Sequence, residues 1–286
     1  MKGEFAVVCN AKVILLCGFE HGGTSLVWNL ITSHPDICSA GYETGELFQQ
    51  SEILRTCRYR PDLLALDETR QAIDRELCGF KLRTLTHPDD KFRAPGLLYT
   101  PDEVAAAALC LKSVNDDIFL TPILQQAYPD LYIVALARDA HALCDGYLRR
   151  GRRAVEVART YQRIGTAMEQ LAHTARHFTL IRFEDVLADP FAAAARLFDF
   201  LDVQPARLDK LRIKSKKVIG AGGEHATQFG DEHRKYWFDR TTVTQALATD
   251  VNAIQAARLL PYEAAEIDRV AGDALRYFGY AQESPS

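Results

Sequence analysis

The stretch VILLCGFEHGGTSLVWNL, residues 13–30, constrains the fold more than any other part of the chain. Val13-Ile14-Leu15-Leu16 is an unbroken apolar run, as expected of a strand buried on both faces in a parallel sheet. Gly18 and Gly22-Gly23 then mark a tight loop. From Thr24 onward the apolar residues fall at Leu26, Val27, Leu30 and Ile31, the spacing of one helix face. Strand, glycine loop and helix form the context in which G-x-x-x-x-G-K-[ST] cradles nucleotide phosphates with backbone N–H groups. Gly18 and Gly23 keep that spacing, but Thr24-Ser25 follows directly, and the lysine that serves β- and γ-phosphates is missing. A terminal group carrying one negative charge needs less countercharge at that point. A phosphosulfate anhydride ends in such a group, so the loop Glu20-His21-Gly22-Gly23-Thr24-Ser25 fits a 5′-phosphosulfate better than a triphosphate.

Further apolar runs follow at residues 107–114 (AALCLKSV), 131–139 (LYIVALARD) and 177–185 (HFTLIRFED), separated by longer helical stretches. Alternation of this kind predicts an α/β fold, three-layered, with a central parallel sheet. Ligands in such sheets bind beyond the carboxyl ends of the strands. The residues there are Gly18 to Ser25, Lys112 to Asn115, and Arg138-Asp139, which should gather around one crevice. We read residues 1–286 as one domain, with a helical and loop insertion at about 47–100. Within the insertion, LTHPDDKFRAPGLLYTPDE (residues 85–103) concentrates turn residues and is expected to be an exposed loop or lid. The C-terminal third is expected to be helical, and residues 214–234 to be loop.

A formal charge of −4 argues against a general nucleic-acid binder, so an anionic ligand must be held by a local cluster of cations. Two basic runs, Arg149 to Arg153 and Lys210 to Lys217, are either solvated faces or sources of such a field. The seven cysteines include no C-x-x-C pair, which suits reduced core thiols in a cytoplasmic protein. No run reaches the roughly 20 apolar residues of a membrane span. His225 and His233 form no metal pattern.

Four segments together resemble the sulfotransferase family. His21-Gly22-Gly23-Thr24-Ser25, followed by a helix ending at His34-Pro35, resembles the family's 5′-phosphosulfate loop. YPDLYIVALARDAHALCDGYLRRG resembles its Arg-Asp element after a buried strand. IRFEDVLADP with FDFLDV resembles its Tyr-Glu-Asp strand end and following helix. HATQFGDEHR resembles the late glycine element of bacterial and carbohydrate-type members. Three positions depart from the family pattern: His21 replaces an Arg or Lys, Gly146 a serine that meets the 3′-phosphate, and Phe183 the tyrosine.

The resemblance implies a P-loop-like fold and transfer of a sulfuryl group from 3′-phosphoadenosine-5′-phosphosulfate to a hydroxyl. The product would be 3′,5′-adenosine bisphosphate, with no metal required. The acceptor would be a small-molecule, carbohydrate or lipid hydroxyl. By that likeness Glu20 to Ser25 hold the 5′-phosphosulfate, and Arg138, position 146 and Arg234 surround the 3′-phosphate. His21 and Lys112 face the leaving and sulfuryl oxygens, and Glu43 is the base, with Glu46 and His87 as alternatives. Two other readings use the same strand-loop-helix: a nucleoside or small-molecule kinase, for which Asp139 would be the magnesium carboxylate, and a catalytically weak nucleotide-binding homologue.

Overall fold

Apolar runs become the strands of a five-stranded parallel sheet in the order β2-β3-β1-β4-β5. They are β1 (Val13–Gly18), β2 (Ile37–Glu43), β3 (Ala108–Val114), β4 (Tyr132–Ala137) and β5 (His177–Arg182). The computed structural model describes residues 10–86, 99–204, 208–219 and 225–281. Every residue of β1 is buried, because β1 is central and helices cover both its faces.

Side-chain alternation along β1 divides the interior into two cores. Val13, Leu15 and Cys17 enter one and Ile14 and Leu16 the other. The second core is closed by α1 (Thr24–Ile31), α9 (Phe183–Ala188) and α10 (Pro190–Phe200), which contribute Val27, Leu30, Val186 and Leu197. The first is closed by α2 (Thr44–Gln50), α3 (Glu52–Tyr59), α4 (Asp67–Arg83), α6 (Thr121–Ala127), α7 (Ala140–Leu148), α8 (Ala154–Thr174) and α12 (Pro261–Phe278). A short α5 (Pro101–Ala106) precedes β3, and α11 (Val251–Ala256) lies against α7. This is the three-layer parallel arrangement expected from the alternating pattern.

The chain leaves β1 toward β2 on one side of the sheet and leaves β4 toward β5 on the other. Divergence of the two connections opens a crevice above the carboxyl ends of β1 and β4. Phe19, the first residue past β1, stacks on Tyr161 of α8 at 4.5 Å between ring centroids, and Phe278 of α12 meets both rings edge-on. The floor of the crevice is therefore aromatic and rigid.

Residues 214–234 differ from the expected loop. β6 (Leu211–Lys214) pairs antiparallel with β9 (Lys235–Phe238), and β7 (Lys217–Ile219) pairs with β8 (His225–Thr227). The C-terminal third thus carries two antiparallel strand pairs between α10 and α11. Short apolar and aromatic pairs such as Val218-Ile219 and Tyr236-Trp237 suffice for strands of this length, and the surrounding glycines and lysines hide them in sequence. The proposed lid falls largely on residues 87–98, outside the described residues, and so does His87.

Candidate active site

The loop after β1 is shaped at Gly23, which caps α1 with φ of +91°, a left-handed conformation open to glycine. Its α-carbon also lies under the Phe183 ring, where an added Cβ would come within 2.3 Å of the ring carbons. No side chain caps α1, and its first turn contains no acidic residue. A helix N-terminus in that state, the positive end of the peptide dipoles, is suited to an anion.

The three strand ends do gather as the topology requires. Asn115, at φ of +51° just past β3, accepts from the Glu20 N–H through Oδ1 at 2.9 Å, and its Nδ2 reaches Glu20 Oε2 at 3.3 Å and Tyr147 Oη at 3.2 Å. From β4, Arg138 Nη1 donates to the His21 carbonyl at 2.6 Å. One side chain from each neighbouring strand therefore grips the glycine loop.

Arg138 itself is buried at 6 % exposure, with its guanidinium 4.5 Å from the Phe183 ring centroid. Nε and Nη2 donate to Asn252 Oδ1 at 2.9 and 2.6 Å, and Nη2 also donates to Gln255 Oε1. Four of the five N–H donors of the fork are engaged by the protein, leaving one on Nη1. Behind it, Glu184 accepts from Asn252 Nδ2, Tyr280 Oη and the Asp139 N–H. The Arg138 carbonyl accepts from Tyr161 Oη at 2.9 Å. Burial lowers the Arg138 guanidinium from its ordinary value, opposed by the charges of Glu184 and Asp139.

His21 sits at φ of +61°, its ring edge-on to Tyr147 at 5.0 Å and beside Gly146. A Cβ on Gly146 would touch the His21 ring at 3.5 Å, an ordinary contact, so the space for a serine exists and glycine is not forced there. Nε2 of His21 is buried with no hydrogen-bond partner among the described residues, and the nearest carboxylate oxygen, on Glu20, is 3.6 Å away. Burial and the charges of Arg150, Lys216 and Arg138 lower the imidazole from its ordinary 6.5, with Glu20 pulling the other way. The ligand-free site thus favours neutral His21.

Two of the cations around His21 come from the basic runs. Arg150 anchors Nη1 on the Gly146 carbonyl at 2.7 Å. Lys216 follows β6, and its backbone carbonyl accepts from the Gln228 N–H. Lys216 is exposed as a residue, yet crowding of its ammonium, together with the charges of Arg138, Lys112 and Lys214, lowers it from its ordinary value.

Across the crevice, Glu43 and Lys112 form an ion pair at 2.7 Å, with the lysine side chain buried and its ammonium 4.7 Å from the Trp28 ring centroid. Register explains the meeting. Ser39 lies opposite Cys110 and Glu43 opposite Lys112, so four residues of β2 span two of β3. Gly41, inside this irregularity at φ of +81°, makes the extra backbone possible. Glu46 accepts from the Glu43 N–H at 2.9 Å and so caps α2.

Other expected site residues are placed differently. Arg234 is exposed and pairs with Asp231 at 3.3 Å; no described contact joins its side chain to the loop after β1. Asp139, the carboxylate a kinase would need, caps α7 through the His141 N–H and pairs with the His141 ring. Among the described residues no group of three or more His, Cys, Asp or Glu could hold a metal ion. The described cysteines Cys17, Cys38, Cys57, Cys78, Cys110 and Cys144 are free and buried. No described helix is long and apolar enough to cross a membrane.

A parallel sheet with an uncapped glycine-loop helix at its switch point, ringed by cations, defines an α/β fold of the kind suited to binding anions beyond its strand ends. Residues 14–206 match the model of the sulfotransferase family, and the chain belongs to that family. In structure it resembles the sulfotransferase domain of the Synechococcus PCC 7002 olefin synthase, with a TM-score of 0.53 and 15% identity over 96% of each chain. It also resembles a sulfotransferase from Alicyclobacillus acidocaldarius, with a TM-score of 0.44 and 13% identity over 93% of each chain. The first of these bears on the fold. No curated protein matches the chain in sequence.

Proposed function

We propose that this sulfotransferase-family enzyme takes its sulfuryl group from 3′-phosphoadenosine-5′-phosphosulfate and passes it to a hydroxyl of a small molecule, carbohydrate or lipid. The observation that carries the reading is the pairing of Glu43 with Lys112 across the crevice from the loop that Arg138 and Asn115 clamp. The donor set fits the ligand: free helix N–H groups, an unpartnered buried His21 Nε2 and a ring of cations.

When bound, the nucleotide supplies an activated sulfuryl group on a phosphate leaving group. The amides from Gly23 to Ser25 hold the 5′-phosphate end, the Gly22 N–H being spent on the Phe19 carbonyl at 2.9 Å, and the Thr24 and Ser25 hydroxyls add donors. Arg138 keeps the His21 carbonyl turned away from that anion and offers its remaining Nη1 hydrogen to the 3′-phosphate, with Arg150 and Lys216 adding charge where Gly146 lacks a hydroxyl. Glu43 accepts the acceptor's proton as its oxygen attacks sulfur and the bridging S–O bond breaks. Lys112, held at the strand end, faces the sulfuryl oxygens and stabilises the charge that moves onto the leaving phosphate.

The acceptor side is walled by Tyr42, exposed beside Glu43, and by Phe80 of α4, whose ring meets Tyr42 edge-on at 5.6 Å. The 47–100 segment on this reading shapes the acceptor pocket. Buried free thiols support a cytoplasmic setting.

The test is release of 3′,5′-adenosine bisphosphate from radiolabelled phosphosulfate, with and without magnesium, over a panel of phenols, sugars and aliphatic alcohols. Metal-independent label transfer is expected. Heat on titrating ATP–magnesium, with none from the bisphosphate, would overturn the reading. Glu43→Gln should leave bisphosphate affinity unchanged and slow turnover about 100-fold, the usual worth of a positioned base. Intact turnover in that variant removes Glu43 from the mechanism.

A further inference from the structure

Asn115 is the first residue past β3, where a φ of +51° turns the chain out of the strand. The backbone ladder between β1 and β3 ends at the pair Gly18–Val114. One step further, a side chain continues it. The Asn115 amide accepts from the Glu20 N–H through Oδ1 at 2.9 Å and donates through Nδ2 to Glu20 Oε2 at 3.3 Å. The amide is itself held from α7. Its Nδ2 also donates to Tyr147 Oη at 3.2 Å, and Tyr147 is buried with its ring edge-on to His21. Beyond Glu20, the His21 carbonyl is tied to β4 by Arg138. Side chains from two strands thus fix the peptide groups before Glu20 and after His21. The left-handed turn at His21, with φ of +61°, is pinned at both ends, and such a turn persists only where its surroundings hold it.

The same strand carries Lys112, three residues before Asn115. The Lys112 ammonium pairs with Glu43 at 2.7 Å, and its carbonyl accepts from the buried Thr44 Oγ1 at 3.1 Å. One end of β3 is therefore joined both to the loop after β1 and to the pair across the crevice. We infer that Asn115 is a positioning residue for sulfuryl transfer: it ties the loop that holds the donor to the strand that carries Lys112, and so fixes the reach from the sulfuryl group to the Glu43–Lys112 pair. The inference rests on the donor and the acceptor side assigned under the proposed function. In-line displacement is sensitive to this reach, since a misplacement of about 1 Å can cost about 100-fold in rate. Binding the nucleotide asks less of Asn115, because Arg138 and the amides that open α1 hold it from the other side of His21. Asparagine suits the position. It tolerates a left-handed φ and carries an acceptor and a donor on one short side chain.

The closing experiment compares Asn115→Gly, Asn115→Asp and Tyr147→Phe with the parent, on an acceptor from the panel above. Glycine keeps the left-handed φ and removes both bonds to Glu20. Aspartate keeps an oxygen for the Glu20 N–H. Phenylalanine leaves those bonds and frees the amide from α7. Hydrogen exchange in the ligand-free protein, read by NMR on nitrogen-labelled glutamate, follows the Glu20 N–H. Its protection should be lost in Asn115→Gly and regained in Asn115→Asp. At saturating donor, kcat should fall about 10- to 100-fold in Asn115→Gly. The bisphosphate Kd, by calorimetry, should stay within about two-fold of the parent, as when the loss is confined to the transition state. Asn115→Asp should recover most of kcat, and Tyr147→Phe should lie between the parent and Asn115→Gly. Parental kcat in Asn115→Gly, or in Tyr147→Phe should the glycine variant not fold, overturns the inference alone. A loss of affinity as large as the loss of kcat does the same, because it makes the contact one of binding and not of reach. Absence of label transfer by the parent overturns the donor reading and takes this inference with it.

Discussion

At the scale of single residues, the site depends on backbone conformations that few side chains can adopt. Gly23 needs both a left-handed φ and the absence of a Cβ beneath Phe183. Gly23→Ala should cost at least about 2 kcal/mol of stability and weaken bisphosphate binding, measured by denaturant unfolding and calorimetry. Wild-type values for both would show that the loop is less constrained than its geometry requires. His21 offers a second test. Its imidazole is lowered by burial and by Arg150, Lys216 and Arg138, so it is mostly neutral near pH 6.5 without ligand. An anion arriving beside it reverses that balance and raises it, so binding should take up a fraction of a proton. Calorimetry of bisphosphate binding in buffers of different ionisation enthalpy reads the uptake directly, and His21→Gln should abolish it. Proton release, or the same uptake in the variant, would exclude His21 as the titrating group.

At the scale of elements, α7 is tied to α12 by His141, whose ring nitrogens face Asp139 at 3.1 Å and Asp268 at 3.0 Å. The bond to Asp139 is the main cause raising this imidazole above its ordinary 6.5, helped by the charges of Asp139 and Asp268 and opposed by burial. Because the folded-state value is the higher one, the stabilisation is fully present below about pH 6.5 and is lost as pH rises through the folded value. His141→Gln should therefore lower stability by about 1 kcal/mol at pH 6 and by little at pH 9, read as Tm against pH. A pH-independent difference would mean that the contact does not titrate. The same elements show what a sequence reveals about a site. Four of the five strands of the parallel sheet (β1, β3, β4 and β5), the glycine loop and the gathering of Lys112, Asn115 and Arg138 at one edge were legible because periodicity and topology fix them. The clamp on Arg138 was not, since VNAIQA, residues 251–256, is ordinary helix composition and nothing in it marks Asn252 or Gln255 as partners of a residue more than a hundred positions earlier. Lys216 and Arg150 were visible only as members of charge runs. Arg234 matched a motif in order and spacing, but its exposed turn gives it Asp231 instead.

At the scale of the whole molecule, an acidic chain holds a cationic crevice. The formal charge is −4, yet Arg138, Arg150, Lys112 and Lys216 all act on the space around the loop. Attraction of a multiply charged nucleotide is then local and opposed at longer range, which makes it sensitive to screening. Bisphosphate affinity should fall roughly ten-fold between 50 and 300 mM salt, measured by calorimetry, and the dependence should flatten in Lys216→Ala. Affinity unchanged by salt would place the binding energy in the neutral amides alone.

The family match ends at residue 206, whereas the acceptors for Nε and Nη2 of Arg138 stand at 252 and 255. A chain shortened after Asp250 would keep the loop, the arginine and the Glu43–Lys112 pair. It would lack the two amide side chains that set the plane of the guanidinium, so the recognisable portion of this enzyme is smaller than its working unit.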